Sequence, residues 1–132
     1  MRNTSLRDRY LDDSVSTASP GHLLVMLYDR LCLDLGRGAT AMRAGDRAGA
    51  SELVVHAQDI LLELRGSLQQ GVWEGSGQLS DLYSFLISEL IRANTGQDPD
   101  KVQACLVVVE PLRDAWREAV HGIPAPDAAR AG

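Results

Sequence analysis

Apolar side chains recur at helical spacing along most of the chain. From residue 19 onwards, leucine, isoleucine, valine and alanine return every three or four positions, the period of an amphipathic α-helix. Capping pairs and one glycine-rich segment divide this stretch into four. The pairs are Ser19 with Pro20, Gly45 with Asp46, and Asp98 with Pro99, and the glycine-rich segment covers 71–77. The pattern predicts helices over about 19–43, 47–70, 78–95 and 99–121.

The two ends of the chain lack this period. Residues 1–18 are polar with isolated apolar points such as Tyr10, and residues 122–132 contain two prolines and small side chains. Four amphipathic helices with short connections form an antiparallel bundle. We therefore predict an all-α protein, an antiparallel four-helix bundle at 19–121 with an N-terminal arm at 1–18 and a disordered C-terminal tail at 122–132.

The main apolar stripe of each helix defines the predicted core. On the second helix it is the most regular, and Leu61 is expected at its centre. Trp116 of the fourth helix is predicted to be buried beside it. Pro111 lies inside that helix and lacks a backbone donor, which predicts a kink over 107–110.

Each helix also carries apolar residues away from its main stripe. Side chains advance about 100° per residue around a helix, which directs these residues outwards. They are Val25, Met26 and Leu33 on the first helix, Val55 and Leu62 on the second, Phe85 and Ile91 on the third, and Val107 and Val108 on the fourth. A shared apolar groove on a soluble protein is usually a partner site. We expect Val55 and Leu62 to face Val107 and Val108 across one groove.

Composition narrows the function classes. The chain has 132 residues, is 45% apolar and 23% charged, and carries a formal net charge of −5. These values suit one globular domain, and without a Lys/Arg cluster they argue against a nucleic-acid partner. No apolar run is long enough to insert directly into a membrane, and the N-terminus lacks an apolar signal core. We therefore expect a cytoplasmic protein whose two cysteines are reduced and buried.

Catalytic and metal-binding patterns are missing from the sequence. The histidines His22, His56 and His121 lie on different elements, and Glu52 with His56 forms a pair that is not repeated on a second helix. We predict no catalytic residues, no metal, no cofactor and no enzymatic activity. Two alternatives remain: a histidine phosphotransfer module acting through His56, although the Lys-Gly pair typical of those domains is absent, and a generic helical adaptor.

Three segments resemble one family in their order along the chain. "YLDDSVSTASPGHLLVMLYDRL" from Tyr10 is similar to the N-terminal signature of the FliS family, the flagellin-specific export chaperones. "LSDLYSFLISELIRAN" from Leu79 resembles the third helix of that family, and "LVVVEPLRDAW" resembles its final motif. Gly21 and His22 depart from the usual acidic pair after Ser-Pro.

The resemblance implies both a partner and a use for the outward apolar residues. FliS-type chaperones hold the disordered C-terminal segment of flagellin in apolar grooves, which prevents premature polymerisation. They also help to deliver flagellin to a membrane protein of the flagellar export gate. On this basis the partner-binding residues are expected to be Tyr10, Val25, Met26, Leu33, Val55, Leu62, Val107 and Val108. Tyr10, in the arm, is expected to cover part of a groove in the free protein.

Overall fold

Four α-helices make up the described part of the computed structural model, which covers residues 19–68 and 75–121. They are α1 (Pro20–Arg43), α2 (Arg47–Ser67), α3 (Ser76–Gly96) and α4 (Pro99–Val120). No β-strand occurs within these residues. The all-α class and the four predicted helices are therefore confirmed.

The predicted caps begin three of these helices. Ser19, Asp46 and Asp98 each accept a hydrogen bond through a side-chain oxygen from the backbone N–H three residues later. Such a bond satisfies one of the N–H groups that have no partner within the helix. Local sequence therefore sets where α1, α2 and α4 start.

Left-handed residues make the two short turns. Gly45 has φ 77° between α1 and α2, and Gln97 has φ 48° directly after Gly96 ends α3. Glycine adopts this conformation without a steric penalty, whereas glutamine adopts it less readily. Turns this short make consecutive helices antiparallel.

The helices form a closed ring in the order α1, α2, α3, α4. α1 packs against α2 and α4, and α3 packs against the same two helices, so α2 and α4 occupy one diagonal of the bundle. Ion pairs mark both ends of the α1–α4 contact: Arg43 lies 3.1 Å from Asp100, and Arg117 lies 2.5 Å from Asp29. These pairs show that α1 and α4 run in opposite directions.

A hydrogen bond crosses the centre of the bundle. The hydroxyl groups of Tyr28 on α1 and Tyr83 on α3 lie 2.5 Å apart, and both side chains are buried. Burial raises the pKa of Tyr28 and of Tyr83, so both phenols remain neutral at physiological pH. Leucine, isoleucine and valine side chains surround this pair, and Leu61 is fully buried among them as predicted.

Trp116 is half-buried and not fully buried, so the predicted burial of this residue is wrong. Its side chain packs against the core and lies within hydrogen-bonding reach of the Tyr28 hydroxyl group.

α4 continues through Pro111. The proline ring is exposed on the outer surface of the helix. There the carbonyl of Val107, which loses its helical partner, can be hydrated. The predicted kink over 107–110 stays a prediction.

Candidate partner-binding surface

Large apolar side chains are exposed on all four helices. Each is more than a third exposed; they are Leu33, Val55, Leu62, Phe85, Ile91, Val107 and Val108. Their exposure was predicted from the angular position of each residue on its helix. The free bundle therefore leaves a substantial part of its apolar surface in contact with solvent.

Two residues of α1 depart from the predicted exposure. Val25 is only 3% exposed, and Met26 is half-buried. Val25 lies one turn after Gly21, and a Cβ atom at Gly21 would meet the side chain of Val120 on α4. The prediction that Val25 is exposed is therefore wrong, because this flank of α1 belongs to the α1–α4 contact.

The exposed residues of α2 and α4 do not share one groove. Because these helices occupy a diagonal, the expectation that Val55 and Leu62 face Val107 and Val108 is wrong. The bundle geometry instead associates the exposed residues of each helix with those of its neighbour in the ring.

Hydrogen bonds between α2 and α3 locate the first group. Asn94 donates to Ser51, and Val55 lies one turn after Ser51 on the same flank. Arg65 donates to Ser84, and Ile91 lies seven residues after Ser84. Val55, Leu62 and Ile91 therefore flank the α2–α3 contact, and we call these three residues the α2/α3 patch.

The Lys101–Glu89 ion pair locates the second group. Phe85 lies one turn before Glu89 on α3, and Val108 lies seven residues after Lys101 on α4. Phe85 and Val108 therefore flank the α3–α4 contact, and we call them the α3/α4 patch. Val107 belongs to neither patch and faces outwards from α4.

A groove with a volume of about 570 Å³ runs along the outer surface of α1. Small side chains form much of its lining, with Leu33 and Arg37 beside them. The lining residues are Cys32, Leu33, Gly36, Arg37, Thr40, Ala41, Ala44 and Asp46. This groove contains the predicted site residue Leu33, whereas Tyr10, which was expected to cover part of an apolar groove, lies outside the described residues.

A buried carboxylate between α1 and α2 was not predicted from the sequence. Asp34 is fully buried, and one oxygen is hydrogen-bonded to Nδ1 of His56 on α2. Its other oxygen lies 3.2 Å from Nε of Arg30, without hydrogen-bond geometry. The only sequence signal was the position of Asp34 beside Leu31 and Leu35. His56 thus links two helices, a structural use of the residue considered for phosphotransfer.

The cysteines of the core are poor nucleophiles. Burial raises the pKa of the Cys105 thiol to about 11 and also raises the pKa of the Cys32 thiol. Both thiols are therefore protonated at neutral pH, whereas the thiolate is the reactive form. Over residues 19–68 and 75–121, no three His, Cys, Asp or Glu side chains are grouped so that they could hold a metal ion.

The described helices were compared with the length and apolar character of a membrane-spanning segment. None of them is both long enough and apolar enough to span a bilayer. Their outward apolar residues are interrupted by polar and charged positions.

Comparisons with known proteins agree on one family. The family model described as "Flagellar protein FliS" matches residues 1–122. The flagellar secretion chaperone FliS of Bacillus subtilis is 31% identical over 112 residues, covering 85% of this chain and 84% of the relative. The protein of the same name from Campylobacter jejuni is 30% identical over 125 residues, covering 92% and 94%. That from Vibrio cholerae is 28% identical over 110 residues, covering 80% and 79%.

The family model covers most of the chain, and two of these relatives are at least 30% identical over more than two thirds of both sequences. The chain belongs to the FliS family of flagellar secretion chaperones.

Proposed function

We propose that this protein is a cytosolic, non-enzymatic export chaperone that binds the disordered C-terminal segment of flagellin. The observation that carries the proposal is the exposure of large apolar side chains on all four helices of a bundle whose core is already filled. These side chains are not needed to complete the fold. A segment that folds into helices against them would use both patches.

The energetics favour a multi-point contact. Full burial of a Leu- or Val-sized side chain contributes roughly 1.5–3 kcal/mol. A disordered partner loses conformational entropy when it becomes helical, so one anchor is insufficient. Three or four anchors on adjacent helices offset that cost, and recognition is then of the helix-in-groove type.

The proposed contacts follow the observed exposure. They are Leu33, Val55, Leu62, Val107 and Val108, with Met26 contributing its exposed part and Phe85 and Ile91 added from the structure. Val25 is left out because it is buried. Tyr10 remains proposed as part of an arm that covers apolar surface until the client binds. Covering the flagellin segment prevents premature polymerisation, and the loaded chaperone delivers it to a membrane protein of the export gate.

Replacement of Val55 and Leu62 together by Asp tests the proposal. Both side chains are exposed, so the fold should persist, while two carboxylates in the α2/α3 patch should weaken binding of a flagellin C-terminal peptide at least about tenfold. Isothermal titration calorimetry measures the affinity, and circular dichroism checks the helical content.

A matched control carries two carboxylates elsewhere. Gln78→Asp with Ala119→Asp adds the same number of aspartates at exposed positions outside the α2/α3 patch. This variant should bind the peptide as the wild type does. Unchanged affinity in the Val55/Leu62 variant would remove the α2/α3 patch from the site, and no binding by the wild type would reject the proposal.

A further inference from the structure

The outward surface of α2 has a second regular pattern besides its core stripe. Exposed residues occur at alternating spacings of four and three, the spacing of a coiled-coil seam. They are Ala48, Glu52, Val55, Asp59, Leu62 and Gly66, and all six are exposed. At about 100° per residue they occupy an arc of about 80° that is opposite the core stripe. We call these six residues the α2 seam.

The α2 seam alternates in chemistry as well as in position. Small or apolar side chains at Ala48, Val55 and Leu62 alternate with carboxylates at Glu52 and Asp59. Neither carboxylate forms an ion pair or hydrogen bond with another described residue, and Glu63 at the edge of the seam has none either. On the other helices, Asp29, Asp34 and Glu89 are ion-paired, whereas Asp81 and Glu110 have no ion pair or hydrogen bond with a described residue either.

A second copy of this chain is a poor occupant of the seam. In a parallel pairing Glu52 and Asp59 would meet the same carboxylates of the other copy. In an antiparallel pairing they would meet Val55 and Leu62. Either arrangement places carboxylates in an interface without a cation, which carries a desolvation cost.

We propose that the α2 seam binds an amphipathic helix in which apolar residues alternate with Lys or Arg at the same four–three spacing. The apolar residues of such a helix pack on Val55 and Leu62, and its cations meet Glu52 and Asp59. Carboxylates at seam positions thereby select a basic partner and reject an acidic one, as charged positions do in coiled coils. The proposal rests on the proposed function only in treating Val55 and Leu62 as partner contacts.

Two synthetic peptides test this specificity. Both span about three heptads with leucine at the apolar seam positions, and the other seam positions carry lysine in one peptide and glutamate in the other. The wild-type protein should bind the lysine peptide at least about tenfold more tightly than the glutamate peptide, and this preference should fall with salt. Fluorescence anisotropy of labelled peptides measures both affinities.

Charge reversal on the seam provides the decisive variant. Glu52→Lys with Asp59→Lys should reverse the preference, so that the glutamate peptide binds more tightly. Asp81→Lys with Glu110→Lys changes the net charge equally at exposed positions on α3 and α4 and should keep the wild-type preference within about threefold. Circular dichroism confirms that each variant remains helical.

Several results would overturn the proposal. Equal loss of preference in both variants would show that net charge alone attracts the lysine peptide. Equal binding of the two peptides by the wild type, or self-association through α2 in sedimentation, would reject the basic partner. Titration of the flagellin C-terminal peptide in the same experiment separates the two proposals. Binding of that peptide tests the proposed function, whereas binding of the lysine peptide tests the proposal for the α2 seam.

Discussion

The inner and outer faces of α2 have the same helical spacing, but the inner face is buried and the outer face is exposed. On the inner face, six apolar residues are buried: Ala50, Val54, Ala57, Ile60, Leu61 and Leu64. On the outer face, the α2 seam repeats helical spacing equally well, yet all its members are exposed. Helical spacing therefore identifies a face that can pack, and the chemistry of the positions indicates what it packs against.

Neighbouring helices account for the difference. α1 and α3 flank the inner face of α2, and both contribute buried leucines to the same core. The outer face has no helix of the described bundle opposite it. The uninterrupted apolar stripe is consequently buried against neighbouring helices of the chain. The α2 seam, which carboxylates interrupt, can stay exposed to solvent without a partner.

The largest expected effect separates two adjacent leucines. Leu61 is fully buried and Leu62 is 44% exposed. Leu61→Ala should lower the free energy of unfolding by about 2–5 kcal/mol, because it leaves a cavity in the core. Leu62→Ala should lower it by less than about 0.5 kcal/mol. Urea denaturation measures both, and similar losses would mean that the two faces of α2 do not differ in this way.

The space around two glycines, Gly38 and Gly66, provides a second comparison of the inner and outer faces of α2. A Cβ atom at Gly38 of α1 would lie 3.2 Å from Cγ2 of Val54 on the inner face of α2, whereas one at Gly66 on the outer face would meet nothing within 4 Å. Gly38→Leu should therefore cost about 1–3 kcal/mol through overpacking. Gly66→Leu should stabilise the helix by up to about 1 kcal/mol. Thermal melts followed by circular dichroism distinguish these signs, and stabilisation by both variants would show that α1 and α2 can separate freely.

The smallest expected effect concerns pH and the inner face of α4. Burial and the nearby Glu89 carboxylate raise the pKa of Cys105 to about 11 from its ordinary value of 9.0. Between these values the unfolded chain loses the thiol proton while the folded protein keeps it, so stability should fall as pH rises from 9 to 11. The contribution is about 1–2 kcal/mol.

Cys105→Ala isolates this thiol. The difference between the urea midpoints at pH 8 and at pH 10.5 should be smaller in the variant than in the wild type. The variant should nevertheless be less stable than the wild type at both pH values. The raised pKa values of Cys32, Tyr28 and Tyr83 act in the same direction and remain in the variant. An identical pH dependence in the two proteins would contradict the assignment to Cys105.

Sequence alone was sufficient for the local features of this protein. Ser19, Asp46 and Asp98 predicted the starts of three helices, because capping bonds join residues only three positions apart. The buried stripe of α2 and the exposure of Val55 and Leu62 followed from the angular spacing of a single helix. These features depend on neighbours along the chain, which the sequence states directly.

Tertiary structure alone decided which helices are neighbours and where the core ends. It placed α2 and α4 on a diagonal, buried Val25, and left Trp116 half-buried against the core. It also joined Asp34 to His56, and Tyr28 to Tyr83, across 22 and 55 positions of sequence. Helical periodicity gives the direction of a side chain from its own axis but contains no information about the order of helices around a bundle, so these contacts required the assembled fold.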